Sequence, residues 1–286
     1  KYQLSGVFSI DVTPFKGFKY TPTVSVYGIL DNTSKKLSDK HDARKNSSGW
    51  GALAEQKDQS FRYVIDNIFS YNNEWNKLIY SVMLGHSFEK YTYEQFGAKS
   101  DNYANGAFPS SNFDLINAGP NIYAGNISYT SYALESYFGR IALNWDNKYI
   151  LNASLRSDGS SRFAKGHRWG VFPSFSAGWN LHRESFMEST ADWLSELKIR
   201  ASWGILGDSE KVGYYATAQV LSYDPKIYTF NDKLVGGAFN NVAINPNITW
   251  EKAKVSNLGV DLGWLEQRIK LSADYFINMR TDILYT

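Results

Sequence analysis

The residue types that most often carry metal or nucleophilic chemistry are scattered along this chain. None of its histidines has a partner at metal-ligand spacing, and cysteine is absent. No HExxH, GxGxxG, P-loop or GxSxG pattern occurs. Acidic residues are spread over turns and strand-like runs rather than paired across a cleft, as a glycosidase requires. The sequence therefore predicts no enzyme, no metal site and no cofactor. The histidines are His41, His86, His167 and His182.

One polar segment, Asp158-Gly-Ser-Ser-Arg-Phe163, has the residue types of a cation or phosphate loop. Carboxylate and hydroxyl oxygens bind hard cations, and arginine pairs with anions. We favour a structural interpretation, in which Asp158 and Gly159 leave a strand in a tight turn and Arg162 neutralises nearby acids. The basic residues of 165–168 could attract lipopolysaccharide phosphates, and a solvated loop explains them as well.

Aromatic residues in two long connections are candidates for ligand binding. Their flat faces stack on sugars or peptide side chains and lose little rotamer entropy. Loop packing or contact with a partner protein explains them equally well. The candidates are Tyr103, Phe108, Tyr123 and Tyr129 in one connection, and Tyr214, Tyr215, Tyr228 and Phe239 in another.

These residues must be positioned by β-strands, because apolar and polar residues alternate with period two along much of the chain. In 149–158, Tyr149, Leu151 and Leu155 have one parity, while Asn152 and Arg156 have the other. The pattern predicts about ten strands near 2–12, 20–31, 60–72, 78–92, 134–146, 149–158, 169–181, 197–207, 250–264 and 269–281. This length suits a tilted strand that spans a membrane.

The connections between these strands fall into two classes. Those at 14–19, 72–77, 146–148 and 265–268 are short, whereas 33–59, 92–133 and 208–249 are long. A medium loop is expected at 159–168, and a helical turn within 182–196, near 184–187. The two classes fall on opposite ends of an antiparallel sheet, as in outer-membrane barrels with short periplasmic turns and long extracellular loops.

Composition also favours a membrane barrel over a soluble sandwich. Aromatic residues make up 16% of the 286 residues, including 20 Tyr and 9 Trp, which suits aromatic girdles at membrane interfaces. Mean hydropathy is −0.39. No apolar run is long enough for a transmembrane helix. The net charge of +2 gives no basic field for nucleic acid.

Several segments closely resemble the SusC/RagA family of TonB-dependent outer-membrane transporters of Bacteroidetes. The resemblance is strongest over the central block and weaker over the first 130 residues, where Leu84-Gly-His-Ser87 carries it. The matching segments are Ser136-Tyr-Phe-Gly-Arg140, Asp146-Asn-Lys-Tyr149, Leu155-Arg-Ser-Asp-Gly-Ser-Ser-Arg-Phe163, Arg168-Trp-Gly-Val-Phe-Pro-Ser-Phe-Ser176, Leu197-Lys-Ile-Arg-Ala-Ser-Trp-Gly204, Asn245-Pro-Asn-Ile-Thr-Trp-Glu251, Asn257-Leu-Gly-Val-Asp-Leu-Gly263, Asp274-Tyr-Phe and Thr281-Asp-Ile-Leu284.

The resemblance implies an all-β fold: an antiparallel transmembrane β-barrel, of which this chain is an incomplete arc from a larger, 22-stranded barrel with a plug. We expect residues 1–286 to be a partial barrel domain without the plug, first strands and last strands. The implied whole protein lies in the outer membrane of a Gram-negative bacterium, with its long loops extracellular. It contacts membrane lipid and lipopolysaccharide. The resemblance also implies import of an oligosaccharide or peptide with energy from the TonB complex, beneath a SusD-like surface lipoprotein.

Strand parity then predicts which side chains face the lumen and which face lipid, because a charge at the bilayer midplane costs about 2–4 kcal/mol. The lumen-facing charged residues are predicted to be Arg140, Arg156, Lys198, Arg200, Asp261 and Asp274. The lipid-facing residues are predicted to be Tyr137, Ile141, Leu143, Leu151, Leu155, Phe175, Trp179, Leu197, Ile199, Trp203, Leu258, Val260, Leu262, Leu271 and Tyr275.

Two other functions remain open at this point. In one, the barrel anchors a surface-binding or secretion-associated module whose loops make all partner contacts. In the other, the chain is a soluble β-rich carbohydrate-binding protein, with its Trp residues buried between two sheets.

Overall fold

A computed structural model describes residues 1–37, 51–103, 121–218, 221–230, 233–240 and 244–283. Over these ranges the chain forms β-strands and two short 3-10 helical turns, at Leu181–Arg183 and Ser185–Thr190. Neither helical turn is long and apolar enough to cross a membrane. The strands are β1 Tyr2–Ser9, β2 Phe18–Leu37, β3 Gly51–Trp75, β4 Leu78–Tyr103, β5 Asn121–Trp145, β6 Tyr149–Ser160, β7 Trp169–Asn180, β8 Leu194–Asp208, β9 Leu221–Phe230, β10 Lys233–Asn240, β11 Glu251–Trp264 and β12 Ile269–Thr281.

Ten of these strands lie in one sheet, in the order β1-β2-β3-β4-β5-β6-β7-β8-β11-β12. The successive pairs from β5 to β12 are antiparallel. β9 and β10 form a separate antiparallel hairpin. Within the described residues β1 and β12 each have a neighbour on one side only. The predicted all-β fold, an unclosed antiparallel sheet of about ten strands, is therefore confirmed.

The chain divides into two compact units. One unit contains Lys1–Phe8, Val24–Val64 and Glu89–Tyr132. Within it Asp58 accepts hydrogen bonds from Gln95 at 2.8 Å and from Tyr93 at 3.1 Å. The other unit contains Ser9–Thr23, Ile65–Phe88 and Ala133–Thr286. Apart from some of the aromatic ligand candidates, the candidate functional residues belong to this second unit.

Strands β2 to β5 are longer than their sequence pattern predicts, at 20, 25, 26 and 25 residues. The predicted long connections at 33–59 and 92–133 are therefore partly strand, and the one at 208–249 contains the β9–β10 hairpin. Glycine, asparagine and serine weaken the side-chain pattern that identifies a strand. They do not prevent the backbone from forming a ladder, because ladder hydrogen bonds use main-chain groups alone.

The short connections adjoin one another, which confirms for this unit that they share one end of the sheet. The amide of Asp146 donates to the carbonyl of Lys77 at 2.8 Å, and the amide of Leu265 donates to the carbonyl of Trp193 at 3.3 Å. Asp146 and Asn147 both have φ of 53°. The left-handed conformation suits the tight turn that the Lys148 amide closes on the Trp145 carbonyl at 2.8 Å, and Asp and Asn tolerate it best after glycine.

A carboxylate anchors the helical turns at this end of the sheet, where sequence predicted one turn near 184–187. Glu184 accepts hydrogen bonds from the Tyr149 hydroxyl at 2.7 Å, the Trp179 indole nitrogen at 2.9 Å and the Lys148 ammonium at 3.1 Å. These donors stabilise the ionised form and lower the pKa of Glu184 to about 2. The contacts fix the 181–193 segment against the ends of β6 and β7.

Few side chains are buried in the sheet, and the main hydrophobic cluster lies at the end opposite the short turns. This end cluster consists of Phe163, Phe172, Val212 and Trp250, each no more than 6% exposed. The Trp250 ring lies 5.1 Å from that of Phe163 and 5.3 Å from that of Phe172. The cluster joins the β6–β7 loop to the segments that follow β8 and precede β11.

We expect Trp250→Ala to release the segment 209–218 from the end cluster. Removal of a buried Trp side chain costs about 3–5 kcal/mol, and Val212 loses its packing partner. In limited proteolysis of the full-length protein, cleavage within 209–218 should accelerate. Trp203→Ala removes a Trp that is 44% exposed and should leave this cleavage unchanged. Equal cleavage of the two variants would show that the cluster does not anchor the segment.

Glu184 should contribute stability only above its lowered pKa. A carboxylate with a depressed folded-state pKa stabilises fully above its unfolded value, near 4.5, and loses this contribution as pH falls to about 2. Glu184→Gln should therefore lower the thermal unfolding midpoint of the full-length protein in detergent at pH 7, with a difference that shrinks through this window. Glu188→Gln, on the same helical turn and exposed, should not alter the midpoint at pH 7.

Candidate functional site

One face of the sheet formed by β5 to β8, β11 and β12 carries most of the polar side chains. We call this the polar face. Residues of one parity on each strand contribute to it, and the opposite parity contributes to the other face. The polar face contains Arg140, Asn152, Ser154, Arg156, Ser174, Ser176, Lys198, Arg200, Ser202, Asn257, Asp261 and Asp274.

Arg200 on β8 is the centre of a charge network on the polar face. Its guanidinium donates to Asp261 at 3.0 and 3.2 Å and to Asp274 at 2.6 and 2.8 Å. Gly259 is opposite both Arg200 and Asp274 in the ladder, and a Cβ there would lie 2.6 Å from the guanidinium carbon. The missing side chain makes room for Arg200 to bind both carboxylates in two-point contacts, which link β8, β11 and β12.

Further hydrogen bonds link side chains of β5, β6 and β7 on the polar face. Arg140 donates to the Asn152 side-chain oxygen at 3.1 Å, and Asn152 donates to the Ser176 hydroxyl at 3.3 Å. The hydroxyls of Ser154 and Ser174 lie 2.6 Å apart. Two open grooves of about 230 and 470 Å³ lie on this face. Amide, hydroxyl and guanidinium groups together can hydrogen-bond a large polar solute without requiring it to carry charge.

Phe138 breaks the alternation, since it is aromatic at a position of polar-face parity. Its ring lies against Gly85 of β4, where a Cβ would overlap the ring. The guanidinium of Arg156 lies 5.3 Å from the ring centroid, within the range of a cation–π contact. Phe138 therefore covers a glycine backbone on the neighbouring strand, a pairing known as aromatic rescue.

The charged residues predicted to face the lumen are only partly brought together. Arg200, Asp261 and Asp274 form one network, with Lys198 opposite Asp261 in the ladder. Arg156 instead binds Asp158 at 2.7 Å and Ser136 at 2.9 Å, nearer the end cluster. The cross-strand pairing of Arg200 was not predicted from sequence, because its partners are separated from it by 61 and 74 residues.

The opposite face is apolar, and within the described ranges its side chains are exposed. Trp179, Ile199 and Trp203 are 37%, 39% and 44% exposed. Leu258 and Tyr275 are 56% and 68% exposed. A soluble two-layer sandwich would bury such side chains between sheets, so the side chains of this face contradict that alternative.

Segment 158–163 has a structural role, but the expected tight turn at Asp158 and Gly159 is wrong, because both residues lie within β6 and pair with β7. The guanidinium of Arg162 donates to the backbone carbonyls of Ser209, Glu210 and Val212 at 3.1–3.2 Å, rather than neutralising acids. The same group lies 4.5 Å above the Tyr214 ring. Asp158 is paired with Arg156 of its own strand, because side chains two residues apart share a face.

Of the basic residues in 165–168, Arg168 contributes to structure, whereas Lys165 and His167 are exposed. Arg168 donates to the carbonyl of Phe163 at 3.2 Å, and its own carbonyl accepts the Trp250 indole hydrogen bond at 2.9 Å. Lys211 and Arg280 approach the nearly buried carboxylate of Glu251 at 3.0 and 3.5 Å. Together these contacts hold the end cluster and its flanking segments in one arrangement.

The aromatic ligand candidates occupy different settings. Tyr214 and Tyr215 lie in the turns after β8 and are 38% and 43% exposed. Tyr129 lies in β5, Tyr228 in β9 and Phe239 in β10, so these three belong to strands rather than loops. Tyr103 and Tyr123 also fall in strands β4 and β5, and Phe108 lies outside the described residues.

No group of three or more potential metal ligands occurs within the ranges that the structure describes. His86 approaches Glu135 at 3.4 Å, and His182 is within hydrogen-bonding distance of the Leu197 backbone, at 3.2 Å from its oxygen. His41 lies outside the described residues. The histidine contacts are those of structural residues.

Comparison with known proteins identifies the family. Residues 3–286 match the family model described as TonB dependent receptor-like, beta-barrel. TonB-dependent receptor P39 of Formosa agariphila is 30% identical over 237 residues, covering 81% of this chain and 21% of that protein. TonB-dependent receptor SusC of Bacteroides thetaiotaomicron is 37% identical over 162 residues, covering 54% of this chain and 16% of that protein.

Solved structures agree on the fold. The structure of the RagAB peptide transporter matches with a TM-score of 0.83 and 24% identity, over 99% of this chain and 30% of that chain. The siderophore receptor PiuA of Acinetobacter baumannii matches with a TM-score of 0.55 and 11% identity, over 96% of this chain and 39% of that chain. The resemblance found in the sequence is thus confirmed, and the chain belongs to the TonB-dependent receptor-like β-barrel family.

Proposed function

We propose that this chain forms part of the barrel wall of a SusC/RagA-type importer in the outer membrane of a Gram-negative bacterium, a member of the Bacteroidetes. The observation that carries the proposal is the separation of the two faces. The polar face, with the Arg200 network and its row of amides and hydroxyls, lines the lumen. The exposed apolar face contacts lipid. The chain acts by binding and transport rather than by catalysis.

The cargo is a large polar nutrient, either an oligosaccharide or a peptide. The charges of Arg200 and Lys198 are matched by those of Asp261 and Asp274, so the wall near this network carries little net charge. A balanced polar wall attracts neither anions nor cations strongly, and it leaves amide and hydroxyl groups to interact with sugar hydroxyls or a peptide backbone. Both cargo classes fit this chemistry.

The end cluster marks the extracellular side, because it joins the longer connections of the sheet. Short turns such as 146–148 and 265–268 then face the periplasm. A SusD-like surface lipoprotein would close over the extracellular side, where Tyr214 and Tyr215 are exposed. The TonB complex would supply energy through parts of the whole protein other than this wall. The relative SusC, which is described as a TonB-dependent receptor, supports the dependence on TonB.

A barrel that only anchors a surface-binding or secretion-associated module remains the second candidate. Its lumen would be blocked, and the extracellular segments would make all partner contacts. Uptake measurements on the whole protein separate the two functions, because an anchor would bind its partner without moving a solute.

The assignment of the two faces predicts that an arginine affects assembly differently at two adjacent positions. Ala201 and Ser202 are similar in size, and both are exposed in this chain, but they lie on the apolar and polar faces respectively. Ala201→Arg should impair assembly, since arginine at the lipid midplane costs about 2–4 kcal/mol, whereas Ser202→Arg should assemble normally. Assembly is measured as the heat-modifiable folded band of the full-length protein refolded into lipid bilayers.

The outcome of this comparison decides the orientation of the wall. Equal assembly of both variants would contradict a lipid-facing apolar face, and impaired assembly of Ser202→Arg alone would reverse the assignment. Ser176→Arg, on the polar face of β7, is a second control that should behave like Ser202→Arg.

Tyr214 offers a test of the extracellular contact surface. Tyr214→Ala removes the ring that lies above Arg162, whereas Tyr214→Phe retains it. In the full-length protein Tyr214→Ala should reduce co-purification of a surface lipoprotein or nutrient uptake several-fold, and Tyr214→Phe should preserve both. Normal uptake and co-purification in Tyr214→Ala would exclude this ring from the contact surface.

A further inference from the structure

An apolar groove of about 450 Å³ opens on the apolar face near the short turns. Its walls are aromatic and aliphatic side chains from two adjacent hairpins, β3–β4 and β5–β6. They are Trp75, Leu78, Leu143, Trp145, Tyr149 and Leu151. The Trp75 and Trp145 side chains are 75% and 57% exposed, so the groove is open to its surroundings along the sheet. This shape and lining suit a hydrocarbon chain that runs along the barrel wall.

An ion pair lies at the end of this groove that is nearest the short turns. The ammonium of Lys77, which lines the groove, lies 3.0 Å from a carboxylate oxygen of Asp146 in the neighbouring turn. The two side chains are 62% and 35% exposed. The Asp146 amide also donates to the Lys77 carbonyl at 2.8 Å, so the backbone holds the two residues next to each other.

Both charges keep bonding capacity for a ligand. An ammonium has three donors and a carboxylate has about four acceptor positions, and the mutual contact uses one of each. An exposed ion pair of this kind adds little stability by itself. A ligand with one negative and one positive group can therefore bind both residues, with its anion at Lys77 and its cation at Asp146.

A phosphatidylethanolamine headgroup fits this arrangement. Its phosphate matches Lys77, and its primary ammonium can donate hydrogen bonds to Asp146. A purely anionic headgroup would meet the Asp146 carboxylate without a compensating charge, and a quaternary ammonium has no hydrogen to donate. Trp145 and Tyr149 have the amphipathic rings that sit at the level of lipid headgroups.

We propose that the β3–β4 and β5–β6 hairpins form a binding site for one phosphatidylethanolamine molecule in the leaflet at the short-turn side. An acyl chain occupies the groove, the phosphate binds Lys77 and the ammonium binds Asp146. The site rests on the proposed function in one respect, because it requires the apolar face to contact lipid.

Native mass spectrometry of the full-length protein tests this site. The protein is released from detergent with equal amounts of phosphatidylethanolamine and phosphatidylglycerol that share the same acyl chains. Lys77→Gln should lower phosphatidylethanolamine retention by about two- to fivefold, the range expected for one exposed ion pair. Asp146→Asn tolerates the left-handed turn conformation and should lower phosphatidylethanolamine retention while leaving phosphatidylglycerol retention equal or higher.

Lys19→Gln is the matched control. Lys19 pairs with Asp11 at 2.7 Å on another part of the same unit and does not line the groove, so its substitution should leave lipid retention unchanged. Unchanged phosphatidylethanolamine retention in both Lys77→Gln and Asp146→Asn would overturn the site, as would an equal loss in Lys19→Gln. The arginine variants at positions 201 and 202 test the lipid-facing assignment separately, so failure of the site and failure of the proposed function are distinguishable.

Discussion

The structure depends on a backbone hydrogen-bond ladder whose apolar face, over the residues that the structure describes, is exposed. In water such a face would be unstable, and in hydrocarbon every unpaired backbone group would cost several kcal/mol. Long antiparallel registers, such as those of β8, β11 and β12, pair the backbone groups within the sheet. A sheet paired in this way can lie in hydrocarbon without unpaired backbone groups. The sheet therefore needs few buried side chains, and the end cluster lies at the end of the sheet opposite the short turns.

The same constraint explains how much of the fold could be predicted. Period-two alternation is local, so strands such as β6 and β7 were located to within one or two residues. Strands β2 to β5 were predicted too short, because their outer ends lose the alternation while their backbones continue to pair. The β9–β10 hairpin was missed for the same reason. Phe138 is apolar at a polar-face position because its ring packs on Gly85 of the neighbouring strand.

The candidate site was less predictable than the fold. Parity placed Arg200 and Asp274 on one face, but only the strand register determines that they meet at 2.6 Å. Register depends on strand order and on every turn between β8 and β12, which one sequence does not specify. Arg162 illustrates the opposite difficulty. Its acceptors are backbone carbonyls, which every residue has, so no side-chain motif marks them.

Because Arg162 binds backbone carbonyls, its contacts place few constraints on the sequence of the segment that it holds. The carbonyls of Ser209 and Glu210 remain available whatever side chains occupy these positions, as long as the chain keeps its path. The contacts of Arg162 therefore tolerate side-chain substitutions in the segment 209–212. Residues 209–212 and their neighbours can therefore change in sequence while the hydrogen bonds that hold this segment to the β6–β7 loop are retained.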